Sequence, residues 1–213
     1  MFENLHYLLS LHGLVGASAL LSFWIAATAR KGGKRHITAG RIYLISMCLV
    51  LISTIPLILH FYFGGNIQRS ITLLFLFFVV LSAIIMLFFS IRNKNSLSRH
   101  RTIMYKIYAI FMSAFSLLVL YQAWTNPLLV KKILLVGFAS IGLIIGISMA
   151  QLAWAKKVDK QWWLRQHMNG AMVAFAATHA SFFGLGLRKL MPALAGDWMH
   201  TVTQVSILVW LII

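Results

Sequence analysis

The most informative feature of the sequence is how few acidic residues it has. Only three occur in 213 positions, Glu3, Asp159 and Asp197, and charged residues of both signs make up 10% of the chain. A soluble domain needs far more charge to cover its surface. With 61% hydrophobic residues and a mean hydropathy of +0.86, the composition is that of an integral membrane protein.

These absences exclude or disfavour several classes of function. No acidic residue lies deep inside a long apolar run, whereas cation-coupled transporters usually rely on Asp or Glu within the membrane. Zinc-dependent hydrolases usually need a carboxylate as a ligand or general base. Cys48 is the only cysteine, so an internal disulfide is excluded and the redox compartment cannot be read from thiols.

Seven apolar segments come close to the length needed to cross a bilayer, which is roughly 20 residues. We predict an all-α polytopic bundle with about seven transmembrane helices, near residues 5–29, 42–63, 71–91, 103–124, 128–155, 163–187 and 198–213. The last segment rises only about 24 Å, which is less than the ~30 Å hydrocarbon core. We expect it to thin the bilayer locally or to lean on its neighbours.

A short repeat suggests how the helices are grouped. Residues 41–47 and 106–112 share the pattern basic-Ile-Tyr-x-Ile-x-Met, 65 residues apart, and each copy opens an even-numbered segment after a basic loop. This pattern favours a single domain, residues 1–213, with three helix hairpins at about 5–63, 71–124 and 128–187 and a terminal helix at 198–213. Chance similarity between aliphatic sequences is the alternative.

Basic residues are divided unequally between the two sides of the predicted bundle. Fourteen of the 19 Lys and Arg residues lie in the loops after the first, third and fifth segments. Such loops stay in the cytoplasm, so we expect the N-terminus outside and the C-terminus inside the cell (inner or plasma) membrane. The +16 net charge then reflects topology and contact with anionic lipid headgroups on the inner face, and we expect no nucleic-acid partner.

Histidines are the main candidates for chemistry. His12 and His179 are expected at similar depth in the outer half, and His36, His100 and His167 at or near the inner ends of even-numbered segments. Bis-histidine ligation of b-type haem uses neutral imidazoles on facing helices and needs no carboxylate. We therefore predict a histidine-bound haem b, or another metal, used in electron transfer with a redox or membrane protein partner. Hydrogen bonds between helices, or solvation in the basic loops, are the structural alternatives.

The loop after the first segment combines two glycines with the cations Lys31, Lys34, Arg35 and Arg41. Exposed backbone N–H groups, guanidinium groups and a helix N-terminus, for which Thr38 is a candidate cap, together favour an anion. A lipid phosphate or a haem propionate would fit. A positive-inside loop with a flexible turn explains the same residues.

The opening of the chain also carries a recognisable pattern: His12, the small-residue stretch 13–19, residues 30–33 (Arg-Lys-Gly-Gly), His36 and residues 40–43 (Gly-Arg-Ile-Tyr). This pattern, with its spacing of 24 between the two histidines, resembles a family of bacterial membrane proteins catalogued as a domain of unknown function. At His100 the chain reads His-Arg-Thr-Ile-Met, where the family tends to have an aromatic residue after the arginine. The resemblance implies a multi-pass membrane protein and no assigned reaction.

Two other functions remain open. A transporter or channel for a small anion or neutral solute could use polar side chains within the segments, such as Tyr108, Ser113 and Ser116. A non-enzymatic accessory subunit could use stripes of small residues, which let helix backbones approach closely. Such stripes contain Gly142 and Gly146 in the fifth segment, Gly170 and Ala174 in the sixth, and Gly13 and Ala17 in the first. The sequence leaves open whether the protein is an enzyme.

Overall fold

The computed structural model of the chain describes residues 5–125 and 132–183, and all regular structure within those residues is helical. Seven helices occur there: α1 (Leu5–Thr28), α2 (Lys34–Phe63), α3 (Ile67–Arg92), α4 (Leu97–His100), α5 (Ile103–Thr125), α6 (Lys132–Trp154) and α7 (Trp162–Ser181). The terminal helix predicted at 198–213 lies outside the described residues. The predicted all-α membrane bundle is confirmed.

Five of these helices are long and apolar enough to cross a membrane, namely α1, α2, α3, α5 and the Leu135–Trp154 part of α6. Helix α7 is not among them, because its first two turns carry Arg165, Gln166, His167 and Asn169. The total number of spans and the orientation of the chain stay predictions.

Apolar side chains lie on the outside of the helices as well as inside. Leu14, Leu21 and Ile103 are about two-thirds exposed or more, whereas the largest buried side chains include Phe138 and Met112. Contiguous exposed apolar surface of this kind is unfavourable in water and marks contact with lipid. The distribution therefore agrees with a membrane location.

The chain forms two compact units, Met1–Phe77 and Phe78–Ile213, with the division inside α3. In the first unit α1 packs along α2. The hydroxyl oxygens of Ser18 and Ser46 lie 3.3 Å apart across this contact, and the rings of Phe23 and Tyr43 meet edge to face at 5.6 Å. In the second unit α5 packs on α6, and α6 on α7. The grouping into three hairpins stays a prediction.

Helix α2 begins earlier than predicted. It starts at Lys34 rather than near residue 42, and Gly33 is its N-cap residue without a side-chain cap. The prediction that Thr38 caps this helix is therefore wrong, since Thr38 lies inside it. The long apolar run begins only at residue 42, whereas the helix also includes the preceding residues 34–41, half of which are basic.

Small residues allow two close helix contacts in the second unit. A Cβ atom placed on Gly146 of α6 would lie 2.5 Å from the hydroxyl oxygen of Ser113 in α5. One on Gly170 of α7 would lie 2.8 Å from Cβ of Met86 in α3. The predicted role of these two glycines in close packing is confirmed. For Gly13 it stays a prediction, because a Cβ there would meet no described atom within 4 Å.

Candidate functional site

His12 is held by a hydrogen bond between α1 and α2. Its Nδ1 lies 2.8 Å from the hydroxyl oxygen of Ser53, and that hydroxyl donates its own hydrogen to the carbonyl of Val50 at 2.9 Å. The serine oxygen therefore accepts from Nδ1–H of the imidazole. A neutral imidazole carries one hydrogen, so the lone pair of His12 is on Nε2.

His36 is held in the same way at the turn between α1 and α2. Its Nδ1 donates to the carbonyl of Ala26 in the last turn of α1 at 2.9 Å. The ammonium of Lys31 also hydrogen-bonds to the carbonyls of Ala26 and Ala27. These groups satisfy carbonyls that the end of a helix leaves without partners, and the lysine charge is favourable at the negative end of the α1 dipole.

This arrangement bears on the predicted anion site of the same loop. Lys31 is engaged with carbonyls of α1, whereas Lys34, Arg35 and Arg41 project into the surroundings as exposed side chains. Binding of a lipid headgroup by these cations stays a prediction.

His167 and His179 lie on α7 and also donate through Nδ1. His167 donates to the carbonyl of Leu87 in α3 at 3.2 Å. His179, which is 6% exposed, donates to the carbonyl of Phe175 one turn earlier at 2.7 Å. Because a carbonyl can only accept, both imidazoles have the lone pair on Nε2 when neutral. Twelve residues separate them, which is about 18 Å along the helix and about 120° around it.

His12 and His179 belong to different units, so convergence of their imidazoles stays a prediction. Within residues 5–125 and 132–183, no three side chains of His, Cys, Asp or Glu come together as a metal-binding group. Haem iron needs only two imidazoles from the protein, so this finding bears on zinc-type sites with three or more ligands rather than on haem.

His100 differs from the other four, because its ring is enclosed and neither ring nitrogen makes a hydrogen bond of standard geometry among the described residues. The backbone of Phe89 is the one hydrogen-bonding group that acts on the ring. It is 3% exposed, and its ring centroid lies 4.7 Å from that of Tyr105 and 4.8 Å from that of Trp162. Burial lowers its pKa below the ordinary value, the charge of Arg101 lowers it further, and the backbone of Phe89 acts in the opposite direction. The histidine is therefore a buried neutral group rather than a solvated loop residue.

Two neighbours of His100 also have buried polar atoms without a partner in the described part of the chain. Arg101 donates from Nη2 to the carbonyl of Ala155 at the end of α6, at 3.0 Å, but its Nε is buried and unpaired. The hydroxyl of Tyr105, a residue 6% exposed, is likewise unpaired. We call the group His100, Arg101, Tyr105 and Trp162 the His100 corner.

Residues 5–154 match the family described as "Predicted membrane protein (DUF2306)". The chain belongs to this family. No curated protein and no solved structure matches it. The resemblance noted in the first quarter of the sequence is thus confirmed over a longer region, and the protein is an integral membrane protein of a family whose description names no reaction.

Three of the five candidate histidines lie inside the DUF2306 region, and two lie after it. His12, His36 and His100 lie within it, whereas His167 and His179 follow its end. Sequence reasoning missed Ser53 as the acceptor for His12, and it missed Tyr105 and Trp162 as the rings around His100. The spacing of one helical turn between Arg101 and Tyr105 is a weak signal for part of the corner, but Trp162 lies too far along the chain to be inferred.

Proposed function

We propose that this DUF2306 protein binds haem b through histidine imidazoles and transfers electrons within the membrane. The observation that supports the proposal is a hydrogen bond that four histidines share: His12, His36, His167 and His179 each donate Nδ1–H to an oxygen. Histidines that ligate metals almost always donate their other ring N–H in this way, which fixes the ring and raises the basicity of the ligating nitrogen. In all four, when neutral, the ring hydrogen is on Nδ1, and Nε2 is the nitrogen that would ligate iron.

The positions of these histidines along their helices also suit electron transfer. In the first unit, Ser53, the partner of His12, follows His36 by 17 residues on α2, which is about 25 Å. In the second unit His167 and His179 are about 18 Å apart along α7. Each unit therefore carries two histidines at different heights along its helices. Haem would supply one-electron chemistry at iron, and the protein would supply the axial ligands and their orientation.

A solute pathway has less support from the polar side chains in the spans. Ser113 and Ser116 donate to carbonyls one turn earlier in α5, at 3.0 and 2.7 Å. Tyr108 donates to the carbonyl of Phe78 at 2.8 Å. The one carboxylate among the described residues, Asp159, pairs with Arg165 at 2.6 Å in the loop before α7. These groups are engaged in helix packing and loop structure, so we favour the redox proposal.

Visible spectroscopy on a set of histidine variants tests the proposal. The full chain would be purified in mild detergent from cells supplied with iron and a haem precursor, and spectra recorded before and after dithionite. We expect a Soret band with sharp reduced α and β bands. Alanine variants of the five candidates, His12, His36, His100, His167 and His179, would be compared with His6→Ala, whose ring is exposed.

The expected result is that at least two of the five variants lose the haem bands while His6→Ala keeps them. A colourless sample with stoichiometric zinc or copper would contradict haem but leave a histidine metal site. A well-folded protein that contains neither haem nor metal, even in lipid nanodiscs supplied with haem, would overturn the proposal and favour transport or an accessory role.

A further inference from the structure

The His100 corner concentrates buried hydrogen-bonding atoms that the described residues do not satisfy. Nε of Arg101 and the hydroxyl of Tyr105 are in this state, and so are the ring nitrogens of His100 apart from a weak interaction with the backbone of Phe89. Buried polar groups in native proteins are nearly always paired, with protein, water or a ligand, because a lost hydrogen bond to water is energetically unfavourable. Several such atoms lie around one enclosed histidine, and a bound group at this place would satisfy them.

The charges of the corner indicate what kind of group this is. Nε of Arg101 can only donate, the hydroxyl of Tyr105 can donate, and a neutral His100 offers one N–H. No described carboxylate balances Arg101, since Asp159 pairs with Arg165. The neighbouring side chains Arg99, Lys156 and Lys157 are exposed cations. Neighbouring donors among basic residues favour an anion, and the guanidinium group favours an oxyanion.

We propose that the His100 corner is a binding site for a phosphate-type oxyanion, held by Arg101, Tyr105 and His100. Arg101 is only partly buried, so the anion reaches the site from the basic loop side. The corner lies at the end of the α5 span, which is the level of lipid headgroups. Inorganic phosphate and the phosphate of an anionic lipid share the required chemistry. The site does not depend on haem binding by the other four histidines.

Thermal unfolding of the full chain, followed by tryptophan fluorescence in a zwitterionic detergent without lipid, tests this site. The probe is sodium phosphate, titrated against sodium chloride at equal ionic strength. The variants are Arg101→Gln and Tyr105→Phe, and the matched control is Arg99→Gln, which removes an exposed charge from the same loop. Tyr105→Phe removes one oxygen and keeps the ring against His100, so it retains the fold.

We expect phosphate to raise the unfolding temperature of the wild type and of Arg99→Gln. The apparent affinity should fall by about tenfold or more in Arg101→Gln and Tyr105→Phe, which is the effect of losing a hydrogen bond to a charged group. Without any anion, Tyr105→Phe should unfold at the same temperature as the wild type or a higher one, because it removes an unpaired buried hydroxyl.

A second arm distinguishes the two sources of phosphate. The protein is placed in nanodiscs of phosphatidylcholine alone or with phosphatidylglycerol, and retained lipids are counted by native mass spectrometry. Stabilisation by phosphatidylglycerol but not by sodium phosphate, with the same dependence on Arg101 and Tyr105, would assign the site to a lipid. The proposal is overturned if neither source stabilises, if Arg99→Gln behaves like Arg101→Gln, or if Tyr105→Phe is destabilising without anion, which would indicate a bound water.

Discussion

At the scale of single residues, one hydrogen bond fixes which nitrogen carries the hydrogen in the neutral rings of His12, His36 and His167. The carbonyls that accept from His36 and His167, and the serine oxygen that accepts from His12, all leave the lone pair on Nε2. None of these acceptors could be inferred from the sequence, because they lie on other helices or at distant positions of the chain. The residue types were predictable, but the position of the ring hydrogen was not.

The partner of His12 provides a direct test at this scale. Ser53→Ala removes the acceptor for Nδ1–H, and loss of such an outer partner typically weakens metal binding about 10–100-fold. We expect a comparable loss of haem affinity, measured by titration of haem into the apoprotein. Ser46→Ala is the matched control, since it removes a hydroxyl that contacts Ser18 between the same two helices and contacts no histidine. Equal affinities in the two variants would contradict the assigned role of His12.

His100 gives a prediction about pH. Burial lowers its pKa in the folded protein below the ordinary 6.5, so near that pH the unfolded chain binds a proton that the folded chain does not. The contribution of His100 to the free energy of unfolding is therefore greatest above about pH 6.5, and it falls as the pH decreases from that value toward the lowered pKa. Unfolding temperatures measured in buffers without phosphate or sulfate should show this fall.

The variant His100→Gln isolates the contribution of this histidine. We expect its unfolding temperature to depend less on pH between about 7.5 and 5 than that of the wild type, because the titrating group is gone. Adding phosphate should make the fall of the wild type smaller, because an anion beside His100 favours the protonated imidazole and brings its pKa in the folded protein closer to the ordinary value. Identical pH profiles for wild type and variant would show that His100 does not titrate as described.

At the scale of helices, the apolar runs predicted most of the boundaries. The predicted segments 5–29 and 103–124 agree with α1 and α5 to within one residue, because a hydrocarbon core imposes the length of a span. The early start of α2 and the four-residue helix α4 were missed. Both lie in polar sequence beside a span, where hydrogen bonding and capping decide the structure rather than apolar length. Ser96, for example, caps α4 by accepting from the backbone of Arg99.

Close packing of α5 on α6 gives a prediction at the same scale. Gly146→Ala would bring a methyl group to 2.5 Å from the hydroxyl oxygen of Ser113 and 2.7 Å from its backbone nitrogen, so the helices must move apart. We expect a destabilisation of about 1–3 kcal/mol, measured by thermal unfolding in detergent. Gly40→Ala in α2 is the control, because no described atom lies within 4 Å of its Cβ, and it should be neutral or stabilising. Equal effects of the two substitutions would contradict the close contact.

At the scale of the whole molecule, the unequal division of Lys and Arg residues between the loops predicts a topology that reporter fusions can test. We expect green fluorescent protein to fluoresce when fused within the loop at Lys156–Lys157, and alkaline phosphatase to be active when inserted at the Gly64–Gly65 turn. The reason is that basic loops are retained in the cytoplasm. The opposite result, with phosphatase activity at Lys156–Lys157 and fluorescence at Gly64–Gly65, would contradict this orientation and would place the His100 corner on the outer side.

The composition of the whole chain was enough to predict its class, and membership of the DUF2306 family agrees with that prediction. The scarcity of acids directed attention to histidine, and His100 illustrates where that reasoning stopped. In the sequence it is one histidine in a basic loop, whereas in the structure it is enclosed by Tyr105 and by Trp162 from α7. Burial of a loop residue depends on tertiary packing, which no local pattern of this sequence specifies.

Electron paramagnetic resonance of the oxidised protein, purified with haem, tests the central claim most directly, because it reports the axial ligands of the iron. The account predicts a low-spin ferric signal typical of two imidazole ligands, which weakens in Ser53→Ala or in one of the histidine variants and persists in His6→Ala. A high-spin signal unaffected by all five histidine variants, or no haem signal from a folded sample supplied with haem, would contradict it.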